Sequence, residues 1–110
     1  MEIIKTLQVA EKDNPHKVSV RMLHETEHVQ VVYITLLPGE ALKTHVTPVD
    51  ASFYILEGQG IVEIGQERAP VVAGDLLPSA KGIPHRLVND GEQAFAFLVI
   101  KTPARAGKAL

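Results

Sequence analysis

The apolar residues of this chain fall in short blocks, and no window shows a sustained helical period. The blocks are rich in Val, Ile, Phe and Tyr, and Gly, Pro, Asn or Asp separates them every several residues, which is typical of an all-β protein. About ten short strands joined by tight turns predict a sandwich or barrel. Besides an apolar strand that ends at Glu57, the predicted strands are residues 3–9, 18–23, 29–37, 61–64, 71–72, 76–77, 84–88 and 94–101.

The composition narrows the class of protein. A chain of 110 residues is expected to form one domain, and its 45% apolar content is ordinary for a globular protein. Eleven basic and 13 acidic residues leave a net charge of −2 without a basic cluster, which gives no electrostatic case for nucleic acid or an anionic membrane as partner. The absence of cysteine excludes disulfides, thiolate metal sites and cysteine nucleophiles.

The first residues, MEIIKTLQVAEKD, carry acidic and basic side chains and no long apolar run, unlike a signal peptide. The apolar stretches of the chain are far shorter than the roughly 20 residues that a membrane helix needs. We therefore expect a cytoplasmic protein with no membrane partner.

Two stretches of the chain each place one histidine among strand and turn signals. Residues 38–58 contain His45, and residues 74–89 contain His85. In a barrel, inward-facing residues from separate strands converge on one interior, whatever their distance along the chain. The two histidines are therefore predicted to mark a pocket inside the barrel.

The spacing in these two stretches resembles the two motifs of the cupin superfamily, which are small RmlC-like jelly-roll barrels. The matching positions are Gly39, His45, Gly58, Gly74, Gly82, His85 and Asn89. The resemblance implies an all-β double-stranded β-helix (jelly-roll or cupin barrel), with one cupin domain over residues 1–110. Its tail, residues 102–110, is expected to be loosely ordered.

The resemblance implies a metal site of three histidines and a glutamate, and this chain keeps only part of it. Thr47 and Ala51 stand at the second histidine position and the glutamate position. A divalent transition metal (Zn, Ni, Fe or Mn) would therefore rest on His45 and His85, and two protein ligands hold a metal weakly. Asp50 is a candidate third ligand if Pro48 lets the chain bulge inward, although a solvent-facing turn residue is the simpler interpretation.

The segment from His24 to His28 matches HExxH, the signature of zinc proteases. That motif works on a helix, where both histidines share a face. Its flanks here are strand-like, and residues four apart on a strand lie about 13 Å apart, too far to share a metal. We interpret the segment as a charged hairpin turn, with His24 or His28 as alternative third ligands of the barrel site.

Residues of equal parity share one face of a strand. If His45 points inward, residues 47, 51 and 53 follow, and an imidazole then lies among apolar walls, as in many small-molecule sites. The predicted ligand pocket consists of His45, Thr47, Ala51, Phe53 and His85.

Several functions stay open at this point. The first is a small stand-alone cupin that binds a small polar molecule, with or without the divalent metal. As an enzyme it would carry out dioxygenase-like or isomerase-like chemistry, as the resemblance implies. The alternatives are a metal-free ligand-binding or sensor module and a purely structural dimer. The resemblance favours a homodimer paired through an outer sheet face, and the predicted strand from Ile3 is a candidate for edge pairing.

Overall fold

The computed structural model describes residues 1–104 and contains, over that range, eight strands and one 3-10 helix, Thr6–Gln8. The strands form two antiparallel sheets, ordered β1-β2-β8-β3-β6 and β5-β4-β7. The all-β jelly roll predicted from the sequence is confirmed. The strands are β1 (Ser19–Glu25), β2 (Gln30–Leu36), β3 (Asp50–Glu57), β4 (Gln59–Ile64), β5 (Glu67–Val72), β6 (Leu76–Ser79), β7 (His85–Val88) and β8 (Phe95–Thr102).

The core lies between the two sheets and follows the two-residue alternation of the strands. In β2 and β8 every second side chain is buried, because successive side chains of a strand point to opposite faces. Phe97 lies at its centre, with its ring centroid 5.3 Å from that of Phe95 and 6.4 Å from that of Phe53. All three rings are buried, so they supply much of the apolar area that stabilises the barrel.

The segment before β3 crosses from the five-stranded sheet to the three-stranded one. Ala41 pairs with Val88, and the amide of Leu42 donates to the carbonyl of Leu87 at 3.0 Å. Further along, His45 forms an isolated antiparallel bridge with His85. The two histidine-bearing stretches are therefore hydrogen-bonded to each other along the side of the barrel.

Gly58, the last residue of the first histidine-containing stretch, occupies a position that only glycine fits. Its φ is +76°, and a Cβ at this position would lie 2.2 Å from the carbonyl oxygen of Ala94. Glycine adopts such a φ without strain and lets the two backbones approach closely. The register of β3 against β8 shifts just before it, between Ile55 and Glu57.

The predicted strand over residues 3–9 is wrong. Thr6–Gln8 is a 3-10 helix, and the side chains of Ile3 and Leu7 are 68% and 73% exposed. The Arg21 guanidinium on β1 donates to the carbonyls of Leu7 and Val9, so a side chain occupies carbonyls that a strand would pair with β1. Edge pairing of two copies through this segment therefore lacks the strand that it needs.

The segment from His24 to His28 covers the end of β1 and the turn to β2. Both histidines are exposed, and the amide of His28 is bound by the Thr26 hydroxyl within the turn. The prediction of a charged hairpin turn is confirmed, and neither histidine reaches the barrel interior. Within residues 1–104 no helix is long and apolar enough to cross a membrane. In the tail, Thr102 ends β8, and residues 105–110 lie outside the described range, which leaves the expectation of loose order there a prediction.

The F97A variant is expected to lower the free energy of unfolding by about 3–5 kcal/mol, because a buried ring is lost and a cavity is left. Urea denaturation followed by circular dichroism measures the change. The control L7A removes an exposed side chain and should change stability by less than about 0.5 kcal/mol. A loss below about 1 kcal/mol in F97A would contradict the described packing of this ring.

Candidate functional site

His45 and His85 face each other across the isolated bridge. The amide of His45 donates to the carbonyl of His85 at 3.2 Å, and the reverse hydrogen bond is 3.0 Å long. Their ring centroids lie 4.7 Å apart at an interplanar angle of 90°. The backbone bridge thus places the two residues side by side, and their imidazoles meet edge to face.

His85 is buried, with 2% of its surface exposed. Its Nε2 lies 3.1 Å from the Thr47 hydroxyl and its Nδ1 lies 2.9 Å from the Ser79 hydroxyl. The Phe53 ring packs edge-on against it at 5.0 Å. Burial, followed by the charges of His45 and Lys101, lowers the pKa of His85 from its usual 6.5 to about 4. The imidazole is therefore neutral near pH 7, with a hydrogen-bond partner at each ring nitrogen.

His45 has one satisfied and one unsatisfied ring nitrogen. Its Nδ1 lies 3.2 Å from the carbonyl of Lys43, which can only accept, so Nδ1 carries the proton. Its Nε2 is buried and has no hydrogen-bond partner among residues 1–104. Burial lowers the pKa of His45, the bond to the Lys43 carbonyl opposes this, and the charge of Lys101 adds to the lowering. A neutral imidazole in this tautomer presents the Nε2 lone pair as an acceptor.

A third histidine, His16, joins this pair although no motif in the sequence pointed to it. It is buried, its ring centroid lies 5.3 Å from that of His45, and its Nδ1 accepts the amide of Lys43 at 2.8 Å. The side chain of Asn14 holds the preceding turn by accepting the amide of His16 at 3.0 Å. Burial lowers the pKa of His16, and His45, Lys43 and Lys101 lower it further.

Lys101 was likewise not among the predicted pocket residues, although the alternation of β8 in the sequence indicated that it points inward. The inward positions of β8 are Phe95, Phe97, Val99 and Lys101, so strand alternation alone places this lysine inside. Only 5% of its surface is exposed, and burial lowers its pKa, with Glu25 opposing the shift. Its charge lowers the pKa of His16, His45 and His85 alike.

The other predicted pocket residues divide into two groups. Thr47, Ala51 and Phe53 are buried and lie on the inner side of the barrel. Asp50 is exposed, and its Oδ1 accepts the amide of Lys81 at 3.0 Å. The chain does not bulge at Pro48 in the way that a metal ligand at Asp50 requires, and this carboxylate lies apart from the histidines.

The donor set does not fit a resident divalent metal. Within residues 1–104 no group of three or more His, Asp or Glu side chains is placed to hold one ion. Both ring nitrogens of His85 already have hydroxyl partners. Among the ring nitrogens of the pair, this leaves the buried Nε2 of His45 without a hydrogen-bond partner and therefore able to bind a metal. The positive charge of Lys101 acts on the same histidines and disfavours a second cation there.

The fold and its histidine-lined interior define a small jelly-roll barrel. The cupin domain family matches residues 32–101, more than half of the chain, and the chain therefore belongs to this family. The protein TT1209 from Thermus thermophilus is 32% identical in sequence and has a TM-score of 0.81, over 94% of this chain and 98% of that one.

More distant structures share the fold alone. An RmlC-like cupin from Shewanella frigidimarina is 20% identical, with a TM-score of 0.83 over 96% of this chain and 95% of its own. The polyketide cyclase RemF from Streptomyces resistomycificus is 18% identical, with a TM-score of 0.84 over 96% of this chain and 82% of its own. No curated protein matches the sequence.

The lowered pKa of His85 predicts a loss of stability in acid. The unfolded chain binds a proton at His85 as the pH falls through 6.5, whereas the folded protein does not until about pH 4. Between pH 6.5 and about pH 4, titration of His85 should lower the free energy of unfolding by about 3 kcal/mol. Below about pH 4 it should cause no further loss.

Urea denaturation of the wild type and of H85Q at pH 7 and pH 4 measures this contribution. H85Q keeps a polar side chain beside Thr47 and Ser79 but cannot titrate, so its stability should fall less by about that amount. Equal losses in the two proteins would show that His85 titrates normally in the folded state.

Proposed function

We propose that this small stand-alone cupin binds a small polar molecule inside its barrel, in contact with His45, Thr47 and His85. The observation that carries the proposal is the buried Nε2 of His45, which has no hydrogen-bond partner within the described range. Buried polar atoms are almost always hydrogen-bonded, and leaving one unsatisfied costs about 1–3 kcal/mol. A bound molecule that donates an O–H or N–H to this nitrogen would remove that cost.

The surroundings of His45 support a binding site with one polar and one apolar wall. On the polar side lies the neutral imidazole of His85, bonded to the hydroxyls of Thr47 and Ser79. On the apolar side lies Phe53, with Ala51 near it on the same strand face. Such a mixture of apolar walls and few fixed polar groups is characteristic of small-molecule sites.

The proposal is a metal-free binding module, because the donor set does not suit a divalent metal. The metal-dependent version, with Zn, Ni, Fe or Mn on His45 and His85, makes a different prediction for the purified protein. Protein made without added metal should contain less than about a tenth of an equivalent of any transition metal, before and after soaking. A stoichiometric metal that is absent from H85Q would contradict this version of the proposal.

Ligand binding is tested by thermal shift against small hydroxylated compounds, namely polyols, monosaccharides and hydroxy acids. At least one class should raise the melting temperature of the wild type, since a ligand that binds only the folded state stabilises it. H45F keeps a ring but loses the acceptor, and its affinity for that compound should fall by about tenfold or more. The control H24F changes an exposed histidine outside the barrel and should bind like the wild type. Equal affinity in H45F and the wild type would remove His45 from the site.

We also propose that the chain forms a homodimer through the outer face of its five-stranded sheet. One row of paired residues crosses this face, and it consists of Tyr33 on β2, Leu98 on β8, Tyr54 on β3 and Leu76 on β6. Tyr54 and Leu76 are exposed, and exposed apolar patches often mark protein interfaces.

The L76K variant places a charge in this row and should convert the dimer to a monomer in light scattering coupled to size exclusion. The control L7K places the same charge on an exposed leucine of the amino-terminal segment and should leave the dimer intact. A wild-type protein that runs as a monomer would contradict the dimer outright.

A further inference from the structure

Lys101 is the one Lys, Arg, Asp or Glu side chain that is buried within residues 1–104. It lies on the inner face of β8, paired with Gln30 of β2 on one side and Ala51 of β3 on the other. Ala51 in turn pairs with Ser79, the residue that holds Nδ1 of His85. The ammonium therefore belongs to the same inner surface as the histidine pair.

No group within residues 1–104 forms an ion pair or a side-chain hydrogen bond with the Lys101 ammonium; the ion pairs in this range involve other residues. Glu25 is the carboxylate whose charge stabilises it, but this effect is smaller than the opposing effect of burial. The Oε2 of Glu25 accepts from the side-chain Nε2 of Gln30 at 2.7 Å, and Glu25 itself is exposed. An ammonium on a side chain that is only 5% exposed is costly when no anion pairs with it.

The buried surroundings of Lys101 contain no carboxylate, since the nearby Glu25 is exposed. No Asp or Glu is buried within the described residues, and the neighbouring histidines are neutral. Ala51 stands where the cupin motif carries a glutamate, directly across from Lys101 on the neighbouring strand. A glutamate there would bring a negative charge to the strand position paired with Lys101, whereas alanine brings none.

We propose, building on the ligand-binding function proposed above, that the ligand is a small hydroxy acid. Its carboxylate pairs with the ammonium of Lys101, and its hydroxyl donates to the Nε2 of His45. A carboxylate supplies the anion that Lys101 lacks, and a hydroxyl supplies the donor that His45 lacks.

Isothermal titration calorimetry and imidazole ¹⁵N NMR test the two halves of the ligand separately on the full chain. The hydroxy acids are D-lactate, L-lactate and malate; lactamide is the neutral counterpart, and propionate is the acid without the hydroxyl. At least one hydroxy acid should bind, about tenfold or more tightly than lactamide and measurably tighter than propionate. Binding should also shift the His45 Nε2 resonance. Lactamide binding as tightly as the acids, or no binding of any hydroxy acid, would overturn the inference.

K101M tests the residue itself, since it keeps the length and apolar stem of the side chain. Removing an unpaired buried charge should leave the protein at least as stable as the wild type. Its affinity for the hydroxy acid should fall by about tenfold or more, while its affinity for lactamide stays unchanged. The control K12M removes an exposed positive charge and should bind the acid like the wild type. Equal losses for acid and amide would assign Lys101 a structural role and overturn the proposal.

Two further outcomes separate this inference from the proposed function. A polyol or monosaccharide that binds in a His45-dependent way, without any preference for acids, overturns the hydroxy acid and leaves the barrel as a binding site. Failure of every acidic and neutral compound to bind overturns both. Should K101M fail to fold, K101Q replaces it, and the comparison of lactate with lactamide on the unaltered protein decides.

Discussion

The two hydrogen bonds between the backbones of His45 and His85 hold the site together. They join the segment that precedes β3 to the first residue of β7, so they tie the five-stranded sheet to the three-stranded one beside the pocket. The same bonds bring the two rings together, and the side-chain bonds to the Lys43 carbonyl, Thr47 and Ser79 orient them. The same pairing of segments, which continues through Leu42 and Leu87, therefore contributes both to closing the fold and to placing the site.

The sequence predicted the barrel well because the features that build it are local. Strand alternation and the glycines that end the first stretch and begin the second can be recognised without knowing what packs against them, and both histidines of the motifs were found in this way. The strand over residues 3–9 failed because its apolar residues have the composition of a strand but no partner in the sheet. The lack of a partner strand is a tertiary feature that the sequence does not show. In the structure, the Arg21 guanidinium binds the carbonyls of Leu7 and Val9, which a strand would have paired with β1.

The pocket was predicted only in part for a related reason. His16 follows an Asn-Pro turn of ordinary composition, and nothing local shows that this turn folds over the barrel. Lys101 had a usable signal in the alternation of β8, but a lysine near the end of a strand is usually solvated, which hid it. Asp50 was a candidate by proximity along the chain, and its carboxylate is instead engaged with the amide of Lys81 at the surface. Part of the polar character of the interior thus comes from His16 and Lys101, which lie outside the two motifs.

His16 has a consequence for how such a barrel can diversify. This histidine lies on an arm that precedes β1, ahead of residue 32, where the match to the family model begins. The arm reaches the pocket through one hydrogen bond to the Lys43 amide and one ring contact. The chemistry beside His45 can therefore change by mutation at His16, which is not part of the hydrophobic core. Related chains with the same barrel but different segments before β1 would then differ in the ligands that they bind.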